Sequence, residues 1–136
     1  MRHSMYNTVR AQPTLKVALR GAGTVHGDGV DLNQNLDACE SAMAVIHTGT
    51  MTDGSVAITL EHSDDNSTYT TVSGAELQGT APTIAASDDD KVYELGYLGH
   101  KRYLRVSAVT TGGSTGGTFG ATIIRGFVQD PPISRA

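Results

Sequence analysis

The sequence has no tryptophan, one cysteine and few aromatic residues, and no apolar run approaches the ~20 residues of a membrane-spanning helix. With Cys39 alone, no intramolecular disulfide can form, so we expect a fold that does not need an oxidising compartment. Nothing near Cys39 resembles a base with its orienting group, so we interpret it as a small, partly buried residue. The first seven residues lack the apolar stretch of a secretory signal, which favours a protein made and kept in a cytoplasm.

Patterns that carry catalytic chemistry are also missing. The histidines show none of the close spacings of a metal site, and we expect each to lie on the surface or in a loop: His3, His26, His47, His62 and His100. Two acidic clusters, at 64–66 and 88–90, are candidates for calcium, but neither has EF-hand spacing. We therefore predict no catalytic residue, no cofactor and no metal, and we do not expect an enzyme.

Charge is distributed unevenly along the chain. Residues 1–20 carry four cations and no acid, residues 21–100 carry thirteen acids and one lysine, and residues 101–136 carry five cations and one acid. An acidic body without a basic stripe argues against nucleic-acid binding, because phosphates would be repelled over most of the surface. The basic N-terminal segment is either an ordinary terminus or an arm that grips an acidic partner surface.

Short alternating segments predict an all-β fold. Leu15, Val17 and Leu19 alternate with polar or small residues, as in a strand with one buried face, and the same period recurs at 56–60 and 102–108. Further strands are expected within 25–32 and at 42–46, 69–72, 92–97 and 119–123, whereas 75–90 looks irregular. About eight strands without a long helix predict an antiparallel β-sandwich, jelly-roll-like, or a flattened barrel.

Three regions follow from these patterns. Residues 1–13 are expected to be an extended arm closed by Pro13, residues 14–130 the β-sandwich domain, and residues 131–136 a C-terminal tail that begins at two prolines. The predicted partner-binding residues are the arm's exposed side chains and the first strand's cations: Arg2, Tyr6, Arg10, Lys16 and Arg20.

Two stretches are more specific. The first is a hairpin, EHSDDNSTYTTV at 61–72, and the second is the strand GYLGHKRYLRV at 96–106. The pair resembles small structural proteins of tailed bacteriophages, in which an E-S-D-D-G-S-x-W/Y-x-x-V hairpin precedes a G-Y-x-G-x-K-R-Y-L-R-V strand. LQGT at 77–80 and IRG at 124–126 also match. His62, Asn66 and Tyr69 depart from the pattern.

The resemblance implies a head decoration, or cement, protein that binds the major capsid protein. It implies a location on the capsid surface of the virion, assembly in the host cytoplasm, and a homo-oligomer, either dimer or trimer. The same stretches are similar to discoidin-type sugar-binding sandwiches, although their tryptophan and bracketing cysteines are missing here. A carbohydrate-binding or host-attachment module is therefore the alternative. Plain packing of Tyr69, Tyr97 and Leu104 in a core would also account for the matched residues.

Overall fold

A computed structural model describes residues 4–33 and 39–128 of the chain. Arg2 and the predicted tail at 131–136 lie outside the described residues, as does the side chain of Cys39. Among the described residues there is no helix, and hence none long and apolar enough to cross a membrane.

The described residues form two antiparallel sheets, which confirms the predicted β-sandwich. Their strands are β1 (Arg10–Arg20), β2 (Gly23–His26), β3 (Val30–Asp31), β4 (Cys39–Met51), β5 (Ser55–Ser63), β6 (Thr70–Thr71), β7 (Leu77–Gln78), β8 (Thr83–Ala85), β9 (Val92–Tyr97), β10 (Tyr103–Thr111) and β11 (Gly117–Val128). The five-stranded sheet has the order β1-β11-β4-β9-β7. The six-stranded sheet has the order β2-β10-β5-β6, with β3 beside β10 and β8 beside β5. The strands beyond the expected eight are pieces of two or three residues, among them β7 and β8 in the segment expected to be irregular.

Alternating side chains from the long strands fill one core between the sheets. The five-stranded sheet contributes Phe119, Ala121, Ile123, Ala44 and Ile46, and the six-stranded sheet contributes Val56, Ile58, Leu60, Leu104, Val106 and Ala108. β5 pairs with β10, with Leu60 opposite Val106 and Ile58 opposite Ala108. These positions are the ones that the period of two in the sequence assigns to a buried face.

β1 differs from its predicted pattern because it bulges. Leu15 lies opposite Ala121, and Ala18 lies opposite Phe119. Between these two pairs β1 therefore has one residue more than β11. One extra residue reverses the faces of the side chains that follow it. Leu15 is therefore buried, whereas Val17 and Leu19, expected on the same buried face, are 75% and 62% exposed.

The N-terminal arm is also shorter than expected. Residues 10–13 pair with β11, from Arg10 opposite Arg125 to Pro13 opposite Thr122. Pro13 is compatible with this position because β1 lies at the edge of its sheet, where one side of the strand needs no backbone donor. The sandwich thus begins at Arg10, and of the predicted arm only residues 4–9 are described outside the strand.

Thr14 joins the two sheets along one seam. Its hydroxyl donates to the carbonyl oxygen of Asp28 at 2.7 Å and accepts from the amide of Val106 at 3.2 Å. The amide of Gly27 donates to the carbonyl oxygen of Val106 at 2.8 Å. A Cβ on Gly27 would lie 2.6 Å from both the Thr14 hydroxyl and the Val106 carbonyl oxygen, so this close approach requires glycine. The seam fixes β1 relative to the six-stranded sheet.

Candidate binding surfaces

The outer side of the five-stranded sheet carries several exposed apolar side chains. Val17, Leu19 and Val92 are 75%, 62% and 56% exposed. Val17 packs over Gly120, since a Cβ there would lie 2.5 Å from a Val17 methyl carbon. Further apolar residues occupy the outward, half-buried positions of β4 and β11: Met43, Val45 and Ile124. We call this set of six side chains the apolar face.

A short N-terminal turn lies at one end of the apolar face. The carbonyl oxygen of Met5 accepts hydrogen bonds from the amides of Thr8 and Val9, at 3.1 and 2.9 Å. A Val9 methyl carbon lies 3.8 Å from the position of a Cβ on Gly126, which places the turn against β11. Met5 and Tyr6 remain 71% and 69% exposed, so the turn adds to the apolar surface instead of closing it.

Two hollows flank this turn. The larger, of about 900 Å³, runs across β11, β4 and β9 to the residues of β7. The smaller, of about 570 Å³, lies on the other side, where Tyr6 and Arg10 are among its lining residues. Met5, Val9 and Ile124 line both hollows. Concave apolar surface with a few polar groups is typical of binding sites.

The structure separates the predicted partner-binding residues into two groups. Tyr6 and Arg10 meet at the smaller hollow, at the first residue of β1. Lys16 and Arg20 lie towards the other end of the strand, where Nη2 of Arg20 donates to the Lys16 carbonyl oxygen at 2.5 Å. The Arg20 guanidinium is also 5.9 Å from the centre of the buried Phe119 ring, so it covers the edge of the core. Lys16 is exposed, and Arg2 lies outside the described residues.

The outer side of the six-stranded sheet is polar by contrast. The guanidinium of Arg105 stacks on the Tyr69 ring at 3.8 Å, and its Nε donates to a Glu61 carboxylate oxygen at 3.0 Å. The Ser107 hydroxyl donates to the same oxygen and lies 2.8 Å from Nδ1 of His26. We call these five residues the polar face.

Charge on the polar face is largely compensated. Burial raises the pKa of Glu61, but the hydrogen bonds from Ser107 and Arg105 outweigh it and leave the pKa below its usual value. Glu61 therefore contacts Ser107 directly as a stabilised carboxylate, which makes it a weak base. Ser107 is thus held between Glu61 and His26, and Nδ1 of His26 also lies 3.5 Å from the same Glu61 oxygen.

A second ion pair borders the polar face. Arg102 donates to both carboxylate oxygens of Asp31, from Nε and Nη2, each at 2.8 Å. The hydrogen bond from Arg102 holds the pKa of Asp31 below its usual value. The Arg102 guanidinium also lies 5.3 Å from the centre of the Tyr103 ring. Two arginine–tyrosine pairs, Arg105 with Tyr69 and Arg102 with Tyr103, thus lie near the start of β10 on the outer side of the six-stranded sheet.

The acidic clusters serve local backbone structure. The Asp65 carboxylate accepts from the amides of Ser67 and Thr68, both at 2.9 Å, and these bonds lower its pKa to about 2. Asp88 accepts from Lys91 and from the Ala85 amide. In the part of the chain that the structure describes, no three metal-binding side chains come together.

His62 is the one histidine among the described residues whose predicted position is wrong. It was expected on the surface or in a loop, but it is 5% exposed and its Nδ1 lies 2.8 Å from the Tyr97 hydroxyl. The sequence pattern could have indicated that His62 is buried, because it continues the alternation of the buried residues Ile58 and Leu60 along β5. His26, His47 and His100 are exposed as expected, and His3 lies outside the described residues.

The two matched stretches meet in the six-stranded sheet. Residues 61–63 pair with residues 103–105, which brings Glu61 opposite Arg105. Packing explains part of the match, since Tyr97 and Leu104 are buried in the core. Tyr69 is only half-buried and stacks on Arg105 outside the core.

Known proteins resemble this chain at the level of family and of fold. Residues 21–123 match the model of a family described as Bbp16. The crystal structure of the PBSX exported protein XepA is similar, with a TM-score of 0.59 and 19% identity over 93% of this chain and 40% of XepA. The chain thus spans two fifths of the length of XepA, and the likeness concerns the fold. The crystal structure of PirA has a TM-score of 0.35 and 12% identity, over 93% of this chain and 97% of PirA. No curated protein matches the sequence.

Proposed function

Since the chain belongs to the Bbp16 family, we propose that it is a structural protein of a phage particle that binds the capsid shell through its apolar face. The family match supports a phage-related protein. The proposed partner is the major capsid protein, and the proposed location is the outer capsid surface of the virion. The role is adhesive and non-catalytic: the protein stabilises the shell through non-covalent contacts, as a dimer or trimer.

The observation that carries this proposal is the exposure of Val17, Leu19 and Val92 on one side of one sheet. Apolar side chains exposed together on one side of a small domain are typical of interaction sites. Burying one such side chain fully contributes about 1.5–3 kcal/mol, so a few anchors give a weak contact. Many copies on a lattice make weak contacts effective together.

Substitutions on the two outer sides of the sandwich test the proposal. Val17→Lys and Val92→Lys place a charge in the apolar face, whereas Val109→Lys does the same on the other sheet, where Val109 is 38% exposed. Each variant is mixed with shells assembled from the major capsid protein and sedimented. We expect the first two to lose shell binding and the third to retain it. Equal binding by all three variants would remove the apolar face from the mechanism.

A truncation tests the N-terminal segment separately. Because β1 begins at Arg10, deletion of residues 1–8 leaves the strand intact, whereas deletion of 1–13 would remove part of it. We expect the shorter deletion to fold and to bind shells more weakly, since Met5 and Tyr6 are lost from the surface. Unchanged shell binding would exclude a contribution from the turn.

The polar face favours a second candidate function, carbohydrate binding for host attachment. Tyr69 and Tyr103 are half-buried beside polar groups that can hydrogen-bond hydroxyls, such as Glu61 and His26. Glycan-array binding that is lost in Tyr69→Ala and Tyr103→Ala, but kept in Tyr6→Ala in the N-terminal turn, would support it. Absence of glycan binding by the wild-type chain would argue against it.

A further inference from the structure

The larger hollow beside the N-terminal turn has the features of a defined groove. Met5 and Val9 of the turn line one part of it, and Met43 and Ile124 of the apolar face line another. Its volume of about 900 Å³ lies within the range of sites that hold a small ligand or several side chains. Methionine side chains adapt to apolar groups of different shape, which suits a surface that receives a partner.

Gly126 keeps one part of this groove open. It lines the groove at an outward position of β11, where a larger residue would project into the space. Gly96 of β9 also lines the groove, but the Gln78 side chain already covers it, at 2.7 Å from the position of a Cβ. A Cβ on Gly126 would meet only a Val9 methyl carbon, at an ordinary contact distance of 3.8 Å. The backbone there therefore tolerates a side chain, and the open space is a consequence of the residue type.

Glu94 is the one charged residue among the described residues that line the groove. It is exposed and lies two positions before Gly96 on β9, so both positions face the same side of the sheet. Met43 lies opposite Gly96, and Ile124 opposite Met43, so this part of the apolar floor and the Glu94 position are separated by about 7 Å along the strand direction. An extended partner segment has the same spacing between residues i and i+2.

We propose that the groove binds an extended segment of a partner protein that carries an apolar side chain and, two residues away, a lysine or arginine. The apolar side chain occupies the space between Met5, Met43 and Gly126, and the cation pairs with Glu94. This inference rests on the proposed function, because it names the chemistry of the partner that the apolar face takes. The segment proposed for the groove is basic, whereas the partner surface expected to bind the basic N-terminal arm is acidic.

Methionine methyl resonances provide the assay. The full chain is labelled at its methionine methyl carbons and titrated with a capped six-residue peptide of serine and threonine that contains one leucine and, two positions earlier, one lysine. We expect the Met5 and Met43 signals to shift, whereas Met51, which is 3% exposed, stays unchanged as an internal reference. A peptide with glutamate in place of the lysine should bind more weakly.

Variants connect the shifts to the groove. Gly126→Leu should abolish them, whereas Gly74→Leu, where a Cβ would meet nothing within 4 Å, should leave them unchanged. Glu94→Gln keeps an exposed residue of the same size and should weaken the lysine peptide by about two- to fivefold, the usual value of an exposed ion pair. Thermal unfolding of Gly126→Leu establishes that the variant is folded, and Glu94→Gln tests the charge independently of it.

Three results would overturn the inference. The first is the absence of Met5 and Met43 shifts at millimolar peptide. The second is equal binding of the lysine and glutamate peptides. The third is a shift of the same signals on concentrating the protein without peptide, which would make a second copy the occupant. Shell binding tested through Val17 and Val92 is a separate measurement, so the groove can fail while the proposed function stands.

Discussion

Nδ1 of His62 lies 2.8 Å from the Tyr97 hydroxyl oxygen, and the two rings meet edge to face in the interior of the sandwich. The amide of Lys101 donates to the same hydroxyl at 3.1 Å. The hydroxyl can therefore donate its own proton to His62, which requires a neutral ring with an unprotonated Nδ1. Burial lowers the pKa of His62, and nearby Lys101 adds to this effect, whereas Glu76 and Asp64 oppose it.

The lowered pKa of His62 predicts a loss of stability in mild acid. Below pH ~6.5 the unfolded chain protonates this histidine while the folded chain does not, so unfolding takes up a proton. The free energy of unfolding should fall as the pH decreases below ~6.5, by at most ~1.4 kcal/mol per pH unit, until the folded-state pKa is reached. Urea denaturation between pH 7.5 and 5 measures this slope.

Two variants test whether His62 causes this pH dependence of the unfolding free energy. His62→Phe should flatten it, at the expense of lower stability at pH 7.5 because the Tyr97 hydroxyl loses its acceptor. His47→Phe, at an exposed position of β4, should retain it. An unchanged slope in His62→Phe would assign the acid sensitivity to other groups.

The seam at Thr14 predicts a second effect on stability. Thr14→Val keeps the shape of the side chain but removes an acceptor from the buried Val106 amide and a donor from the Asp28 carbonyl. Leaving a buried backbone group unsatisfied costs about 1–3 kcal/mol, which we expect as the decrease in unfolding free energy. Thr14→Ser keeps the hydroxyl and should recover most of the loss in the same denaturation experiment. If the two variants were equally destabilised, the hydrogen bonds of the hydroxyl would not account for the loss in Thr14→Val.

How far the sequence predicts the structure depends on whether a strand is regular. Val56, Ile58 and Leu60 of β5 and Leu104, Val106 and Ala108 of β10 are all buried, as the alternating pattern predicted, so the pattern identified the buried face. In β1 the same pattern failed after Leu15, because an extra residue turned Val17 outwards. A bulge depends on pairing with β11, a partner about 100 residues away, and no local pattern marks it.

The candidate surfaces were predictable only in part. Glu61 and Arg105 lie within the two matched stretches but were not predicted as site residues, and their contact with His26 depends on the register between β2 and β10. The apolar face was not predicted at all, since Val17 was assigned to the core and Val92 was noted only as a strand residue. Predicted cations such as Arg20 are instead partly engaged in covering the core.

The hairpin loop predicts a stability change in stronger acid. Backbone hydrogen bonds from Thr68 and Ser67 lower the pKa of Asp65 from 3.8 to about 2. The folded state therefore binds its proton later than the unfolded state, so the stabilisation is present above pH ~4 and is lost as the pH falls towards 2. A carboxyl-carbon NMR titration should give a midpoint near 2 for Asp65. Asp65→Asn should have a lower unfolding free energy than the wild type, and this difference should shrink between pH 4 and 2. A difference that stays constant over this range would contradict the lowered pKa of Asp65.

The close approach at Gly27 predicts a large effect of a small substitution. In Gly27→Ala the added methyl group would lie 2.6 Å from the Val106 carbonyl oxygen and 2.7 Å from the Thr14 carbonyl oxygen. Both are backbone atoms, so the clash cannot be relieved by a rotamer change, and the seam between β1 and β10 must open. We expect a loss of about 1–3 kcal/mol in unfolding free energy, whereas Gly74→Ala, in open space, should change it by less than about 0.5 kcal/mol. Thr14→Ala removes only the hydroxyl among the three contacts and should not rescue Gly27→Ala. A rescue would show that the hydroxyl alone, and not the packing of two backbone segments, requires glycine here.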